Sequence, residues 1–145
     1  MLKLAATMMI LIDTSALLAL LSLQDSLHPI ARQTWDYFVE EDIPIYANNY
    51  LLVEAYALLQ NRLGMSAIRD LQKKIVPWLH IEWVSVHQHQ EIVDAFLVAN
   101  RRRLSLVDCA SFATMRQLGI HTAFTFDPHF AEQGFDVVPA LSPSS

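Results

Sequence analysis

The sequence predicts an α/β fold with a parallel sheet covered by helices. Three observations predict it. Short apolar runs alternate with longer segments whose apolar residues recur at helical spacing. The first run, Met9-Ile10-Leu11-Ile12, is continuously apolar, as a strand buried on both faces of a parallel sheet must be. The chain of 145 residues is 53% hydrophobic with a mean hydropathy of +0.27, enough for one sizeable core.

Taken in order, the first strand spans residues 6–12. Helix one, 15–23, follows with Leu17, Leu18 and Leu21 on one face, and Asp25, Ser26 and Pro29 break it. Helix two, 29–41, begins at a proline, which its first turn tolerates, and buries Trp35, Phe38 and Val39. Ile43-Pro44-Ile45-Tyr46 is a short apolar segment whose proline limits it to a strand edge or beginning, or else excludes a regular ladder there. Asn48 or Asn49 caps helix three, 50–63, and Gly64 stops it. Helix four, 67–79, aligns Ile68, Leu71, Ile75 and Leu79, with Pro77 distorting its last turn. The alternating Ile81-Glu82-Trp83-Val84 reads as a strand. Helix five spans 88–101 and helix six 105–118, the latter ended by Gly119. Thr122–Phe126 is a strand running into Asp127-Pro128, and 135–138 is the last strand. Residues 1–141 form one domain and 142–145 a flexible tail.

Composition removes several function classes. The formal net charge is -5, against non-specific binding to nucleic acid through a basic surface. The single cysteine, Cys109, makes no internal disulfide and no thiolate metal cluster, which fits a reducing cytoplasm. Asp13 interrupts the apolar stretch that would form a signal-peptide core, and no run reaches the length of a membrane span. The glycines, Gly64, Gly119 and Gly134, form no phosphate-binding loop.

Four carboxylates sit in unusual surroundings. Asp13 ends the first apolar strand, at the sheet edge where ligands bind in open parallel sheets. A helix cap explains it equally well. Glu54 lies within Leu51-Leu52-Val53-Glu54-Ala55, a setting that predicts partial burial and calls for a partner or a metal; a narrow exposed polar stripe is the plainer reading. Asp108 stands three residues after Ser105, the spacing of a capping box, and a helix start can also orient an acid toward an ion. Asp127 follows the Ala123–Phe126 run as Asp13 follows its own, although Asp-Pro also starts ordinary turns. These acids are distant in sequence and meet only through the fold. Clustered, they repel unless hard divalent cations compensate, and oxygen donors suit Mg²⁺ or Mn²⁺. The pattern points to metal-assisted phosphoryl chemistry.

The motifs Ile10-Leu11-Ile12-Asp13-Thr14-Ser15-Ala16-Leu17-Leu18, Glu54 in its apolar helix, Ser105-Leu106-Val107-Asp108-Cys109-Ala110-Ser111-Phe112-Ala113 and Thr125-Phe126-Asp127-Pro128-His129-Phe130 resemble, in order and spacing, those of PIN-domain ribonucleases. More narrowly, they resemble the VapC-type toxins of type II toxin–antitoxin pairs. The resemblance covers essentially the whole chain. It implies a PIN-like three-layer sandwich with a central, mostly parallel sheet, a Mg²⁺- or Mn²⁺-dependent endoribonuclease, a cytoplasmic homodimer and a small antitoxin partner. Asp13, Glu54 and Asp108 match the core acids, and Asp127 a more variable fourth position. Thr14, Ser15 and Thr125 are candidate supporting hydroxyls or water ligands; caps and strand bonds explain them as well.

Arg101, Arg102 and Arg103 precede the Asp108 motif and are candidate contacts for RNA phosphates, with a solvated helix end as the alternative. His87 and His89, two apart, do not share a helix face. His129 can reach the pocket, although a turn or core role is favoured. Two rival functions stay open. One is a catalytically degenerate PIN scaffold that binds RNA or protein. The other is a haloacid-dehalogenase-like phosphatase, which wants a second Asp two places after the first, where Ser15 stands.

Overall fold

The computed structural model describes residues 8–141. Among them, strands β1 (Ile10–Ile12), β2 (Ile45–Asn48), β3 (Leu79–Glu82), β4 (Thr122–Phe124) and β5 (Asp136–Val138) form one sheet. Its order is β3-β2-β1-β4-β5, and every neighbouring pair is parallel. The flanking helices are α1 (Thr14–Leu21), α2 (His28–Glu40), α3 (Asn49–Leu63), α4 (Met65–Asp70), α5 (Val86–Ala99), α6 (Leu106–Leu118) and the short α7 (His129–Glu132). This is the α/β sandwich with a parallel central sheet that the sequence predicts.

The order of strands decides where a ligand can bind. The chain lays β2 and β3 on one side of β1, then returns to lay β4 and β5 on the other. The reversal falls between β1 and β4, and the crevice beyond their carboxyl ends is the natural site of an open α/β sheet. Register places Ile12 beside Phe124, so Asp13 and Thr125 emerge side by side. β1 is central and fully buried, which explains why it carries no polar residue.

Element ends differ from the sequence reading in informative ways. The first strand is ordered as β1 from Ile10, while residues 6 and 7 of the expected strand, like the tail 142–145, lie outside the described residues. Helix one starts at Thr14 and stops at Leu21, where Ser22 turns extended. Helix four is the largest correction. After Asp70 the coil widens to a π-helix over Leu71–Ile75 and tightens to a 3-10 turn over Val76–Trp78. Pro77 cannot donate the next helical hydrogen bond, and Leu79 already has extended backbone. The strand expected at 81–84 therefore begins at Leu79 and ends at Glu82. Val84 N–H instead donates to Asn49 Oδ1 at 2.7 Å. Helix five starts early at Val86, because Ser85 and Gln88 form a reciprocal capping box, and ends at Asn100 in the left-handed region. Pro44 precedes β2 rather than sitting in it, so the strand keeps two neighbours.

One buried amide ties these layers together. Asn48, fully buried at the end of β2, accepts from Leu51 N–H at 2.8 Å and so caps α3. Its Nδ2 donates to Thr114 Oγ1 on α6 at 3.0 Å. None of the described helices is long and apolar enough to cross a membrane. Asn48→Ala removes both bonds and leaves buried polar atoms unpaired. It is expected to lower stability by about 2 kcal/mol, read as a shifted urea midpoint at unchanged m value.

Candidate metal centre

Asp13 occupies the N-cap position of α1 with extended backbone, yet its carboxylate makes no cap bond to the helix. It turns instead to two hydroxyls. Ser15 Oγ and Thr125 Oγ1 each donate to Asp13 Oδ2 at 2.9 Å. Those hydroxyl oxygens are themselves fixed by backbone donors: Phe126 N–H to Ser15 Oγ at 2.9 Å and Asp127 N–H to Thr125 Oγ1 at 2.9 Å. The ends of β1 and β4 are thus laced by side chains, and the cap explanation of Asp13 does not hold. Burial, with only 4% of the residue exposed, pushes its carboxyl up from 3.8 to about 6. The two hydroxyls and, less strongly, the Thr14 backbone N–H pull the other way and do not offset desolvation, while Asp108 adds repulsion.

Asp108 is set by the start of α6. Ser105 Oγ accepts Asp108 N–H at 3.0 Å, and Asp108 Oδ2 accepts Ser105 N–H at 3.0 Å. The capping box predicted from spacing is complete and coexists with a place in the acid cluster. Burial raises the Asp108 carboxyl above its ordinary value, and neighbouring Asp127 adds to the rise. Asp127, half-buried after β4, accepts His129 N–H at 2.8 Å through Oδ1. Asp108, Asp127 and His129 each present a ligand atom, and these atoms lie within 4.8 Å of one another.

A shared pattern emerges. Protein donors engage Oδ2 of Asp13, Oδ2 of Asp108 and Oδ1 of Asp127, and the second oxygen of each stands outside those bonds. Two buried side-chain polar atoms among the described residues have no hydrogen-bond partner, Thr14 Oγ1 and His129 Nδ1. They belong to residues next to Asp13 and two after Asp127. The raised proton affinities of Asp13 and Asp108, carboxylate oxygens outside those bonds and an orphaned nitrogen fit a divalent cation. Asp108, Asp127 and His129 are the residues whose geometry can hold it, with Asp13 coupled electrostatically to Asp108.

Other predicted residues stand further out. Glu54 is half-buried on α3, as its apolar neighbours predict, and is outside the group of ligand atoms. Arg101, Arg102 and Arg103 are exposed in the loop before α6, but Arg101 is paired with Glu132 on α7 at 3.1 Å. His87 pairs with Glu91 on the α5 surface. His129 is the residue that sequence reasoning undervalued. Its signal was the short spacing from Asp127, which a one-turn helix converts into proximity.

A family model described as the PIN domain matches residues 10–136. The 23S rRNA-specific endonuclease VapC20 of Mycobacterium tuberculosis is 30% identical over 128 residues, covering 88% of this chain and 95% of the relative. The crystal structure of M. tuberculosis VapC20, described as a sarcin–ricin-loop-cleaving toxin, superposes with a TM-score of 0.76 at 28% identity. That match covers 87% of this chain and 95% of the other. The FitAcB structure from Neisseria gonorrhoeae shares the fold at a TM-score of 0.62 and 22% identity, covering 89% and 96% of the two chains.

The buried acid makes a pH signature. The folded Asp13 carboxyl holds its proton more tightly than the unfolded chain's, so metal-free stability falls as pH rises from about 4 to about 6, then levels. The full difference is about 3 kcal/mol. Asp13→Asn is expected to remove this part of the slope, measured as the wild-type-minus-variant difference in urea stability across that window.

Proposed function

The chain belongs to the PIN-domain family, and from that premise we propose that it is a divalent-metal-dependent endoribonuclease, the toxin of a type II toxin–antitoxin pair. The single observation that carries the proposal is the convergence of Asp108, Asp127 and His129 beside Asp13 at the switch point of the sheet. A bound Mg²⁺ or Mn²⁺ supplies charge compensation and Lewis acidity toward a phosphodiester. The chain's own residues do the positioning. Ser15 and Thr125 fix one oxygen of Asp13, Ser105 fixes one oxygen of Asp108, and the backbone of His129 fixes one oxygen of Asp127. Thr14, beside Asp13, has a buried hydroxyl free to serve the same pocket. Glu54 is the proposed fourth acid, reaching from α3.

RNA as substrate is supported by the likeness to an rRNA-specific relative and by the arginine loop. Arg102 and Arg103 are exposed immediately ahead of the Asp108 motif, and they are the proposed phosphate contacts. A cleft of about 520 Å³ between α5 and α6 reaches Cys109, the residue after Asp108, and combines Ile92, Leu104 and Phe112 with Arg116. That groove also carries Glu82 and Glu91, and its apolar lining suits an apolar segment of a protein partner, the proposed antitoxin. The protein is proposed to act as a homodimer in the cytoplasm.

The decisive experiment is a cleavage assay on varied RNAs with purified chain. Activity is expected with Mg²⁺ or Mn²⁺ and lost with chelator. Asp108→Asn should lower turnover by about a hundredfold or more, while circular dichroism shows an intact fold. Metal binding without cleavage of any RNA would favour the degenerate scaffold. A second expectation concerns the loop: Arg102→Ala with Arg103→Ala should flatten the salt dependence of RNA affinity by about 0.7 in log–log slope per arginine.

A further inference from the structure

We propose that His129 is a nitrogen ligand of the metal site and that it makes the site prefer Mn²⁺ to Mg²⁺. The inference rests on the reading that the acid cluster holds a divalent cation. His129 Nδ1 lies 2.9 Å from Asp127 Oδ1 and 3.8 Å from Asp108 Oδ2. The atom is buried, yet it makes no aligned hydrogen bond to either carboxylate. Close approach without alignment is the arrangement of donors that share a third partner.

The backbone enforces this placement. His129 N–H donates to Asp127 Oδ1 at 2.8 Å, which folds the chain back so that the ring stands over the acids. Phe130, fully buried, anchors the same short helix against Phe112 of α6 with ring centroids 5.0 Å apart. Glu132 ties the far end of α7 to Arg101. The ring is therefore held rather than swinging. The oxygens nearest to Nδ1 each accept one backbone N–H and retain further acceptor capacity.

The donor set then selects the ion. Mg²⁺ is hard, keeps its waters and takes oxygen donors. An imidazole nitrogen suits later first-row ions, and Mn²⁺ accepts both nitrogen and carboxylate. Zn²⁺ in closed sites wants several nitrogen or sulfur donors, whereas here the remaining donors are carboxylates. A site of two carboxylates and one imidazole therefore favours Mn²⁺ without excluding Mg²⁺.

Pulsed electron paramagnetic resonance of the Mn²⁺-loaded chain tests this directly. Wild type is expected to show a nitrogen coupling that changes when histidine is supplied as the ¹⁵N form, a readout that needs no variant. His129→Ala should abolish the coupling. It should weaken Mn²⁺ binding about tenfold or more, while Mg²⁺ binding, measured by competition, changes less than about twofold. His87→Gln, remote on α5, should change neither. Mn²⁺ bound by wild type without nitrogen coupling overturns the inference and leaves the acid cluster standing as an all-oxygen site. A wild-type chain that binds no Mn²⁺ at all overturns both this inference and the metal-dependent function.

Discussion

A carboxylate taken out of water at the end of the central strand is the constraint on which the site depends. β1 is buried on both faces, so the residue that ends it inherits that burial. Asp13 is left with 4% of its surface exposed and a carboxyl pushed up to about 6. Two hydroxyl donors reduce the cost without cancelling it. A fold under selection for stability alone would place an apolar residue or an asparagine here, since a buried charge without a charged partner is unfavourable. The protein retains the acid, surrounds it with oriented hydroxyls and brings a second raised carboxyl, Asp108, toward it. Keeping the acid and bringing Asp108 toward it are unfavourable to the metal-free chain and would favour a bound cation, while the hydroxyls reduce that cost.

The same bonds that build the helices also aim the acids. Ser105 and Asp108 begin α6 by satisfying each other's backbone donors, and that bond fixes one Asp108 oxygen. Thr125 ends β4 while its hydroxyl serves both Asp13 and the Asp127 backbone. Asn48 begins α3 and, by holding Thr114, fixes α3 relative to α6. Local folding and site geometry are therefore one set of interactions, so the choice between a structural and a functional reading of Asp108 is not exclusive. For Asp13 the choice is real, because its carboxylate makes no cap bond.

Legibility followed the range of the interaction. The apolar run of β1, the helix-stop glycines at Gly64 and Gly119, and the Ser105–Asp108 spacing are local signals, and each appears in the structure. The family motifs pointed to Asp13, Asp108 and Asp127 because motif order survives where contacts cannot be read. What was not legible arose from competition between neighbours. Helix four had the right apolar spacing, and Leu71 and Ile75 are indeed buried, but Pro77 and the demand for a fifth parallel strand ended it early. α7 is a single turn with too few residues for a periodic pattern. Because α7 was missed, the position of His129 was undervalued: the distance from its ring to Asp108 depends on a helix packed through Phe130 and Phe112, far apart in sequence. Glu54 shows the opposite case. Its burial was legible, but the reach of its side chain from the middle of α3 is not fixed by any local rule.

A net charge of -5 runs against a polyanionic substrate, but charge acts locally. At physiological ionic strength, fields from exposed charges fade over roughly 8 Å. Acids elsewhere on the surface therefore matter little to a phosphate at the sheet rim. Among the surface acids, Asp36 and Asp70 are in any case paired one helical turn away with Arg32 and Lys74. Of the acids at the crevice, Asp13 and Asp108 have proton affinities raised by burial, so theirs is the charge that a cation would compensate. On the proposed reading, filling the centre with divalent charge would turn a region that repels phosphate into one that attracts it. With Arg102 and Arg103 exposed at the approach to α6, an acidic protein can then present a positive site. On the proposed reading, metal occupancy governs substrate binding as well as bond cleavage, because without the cation the carboxylates at the crevice repel a phosphate.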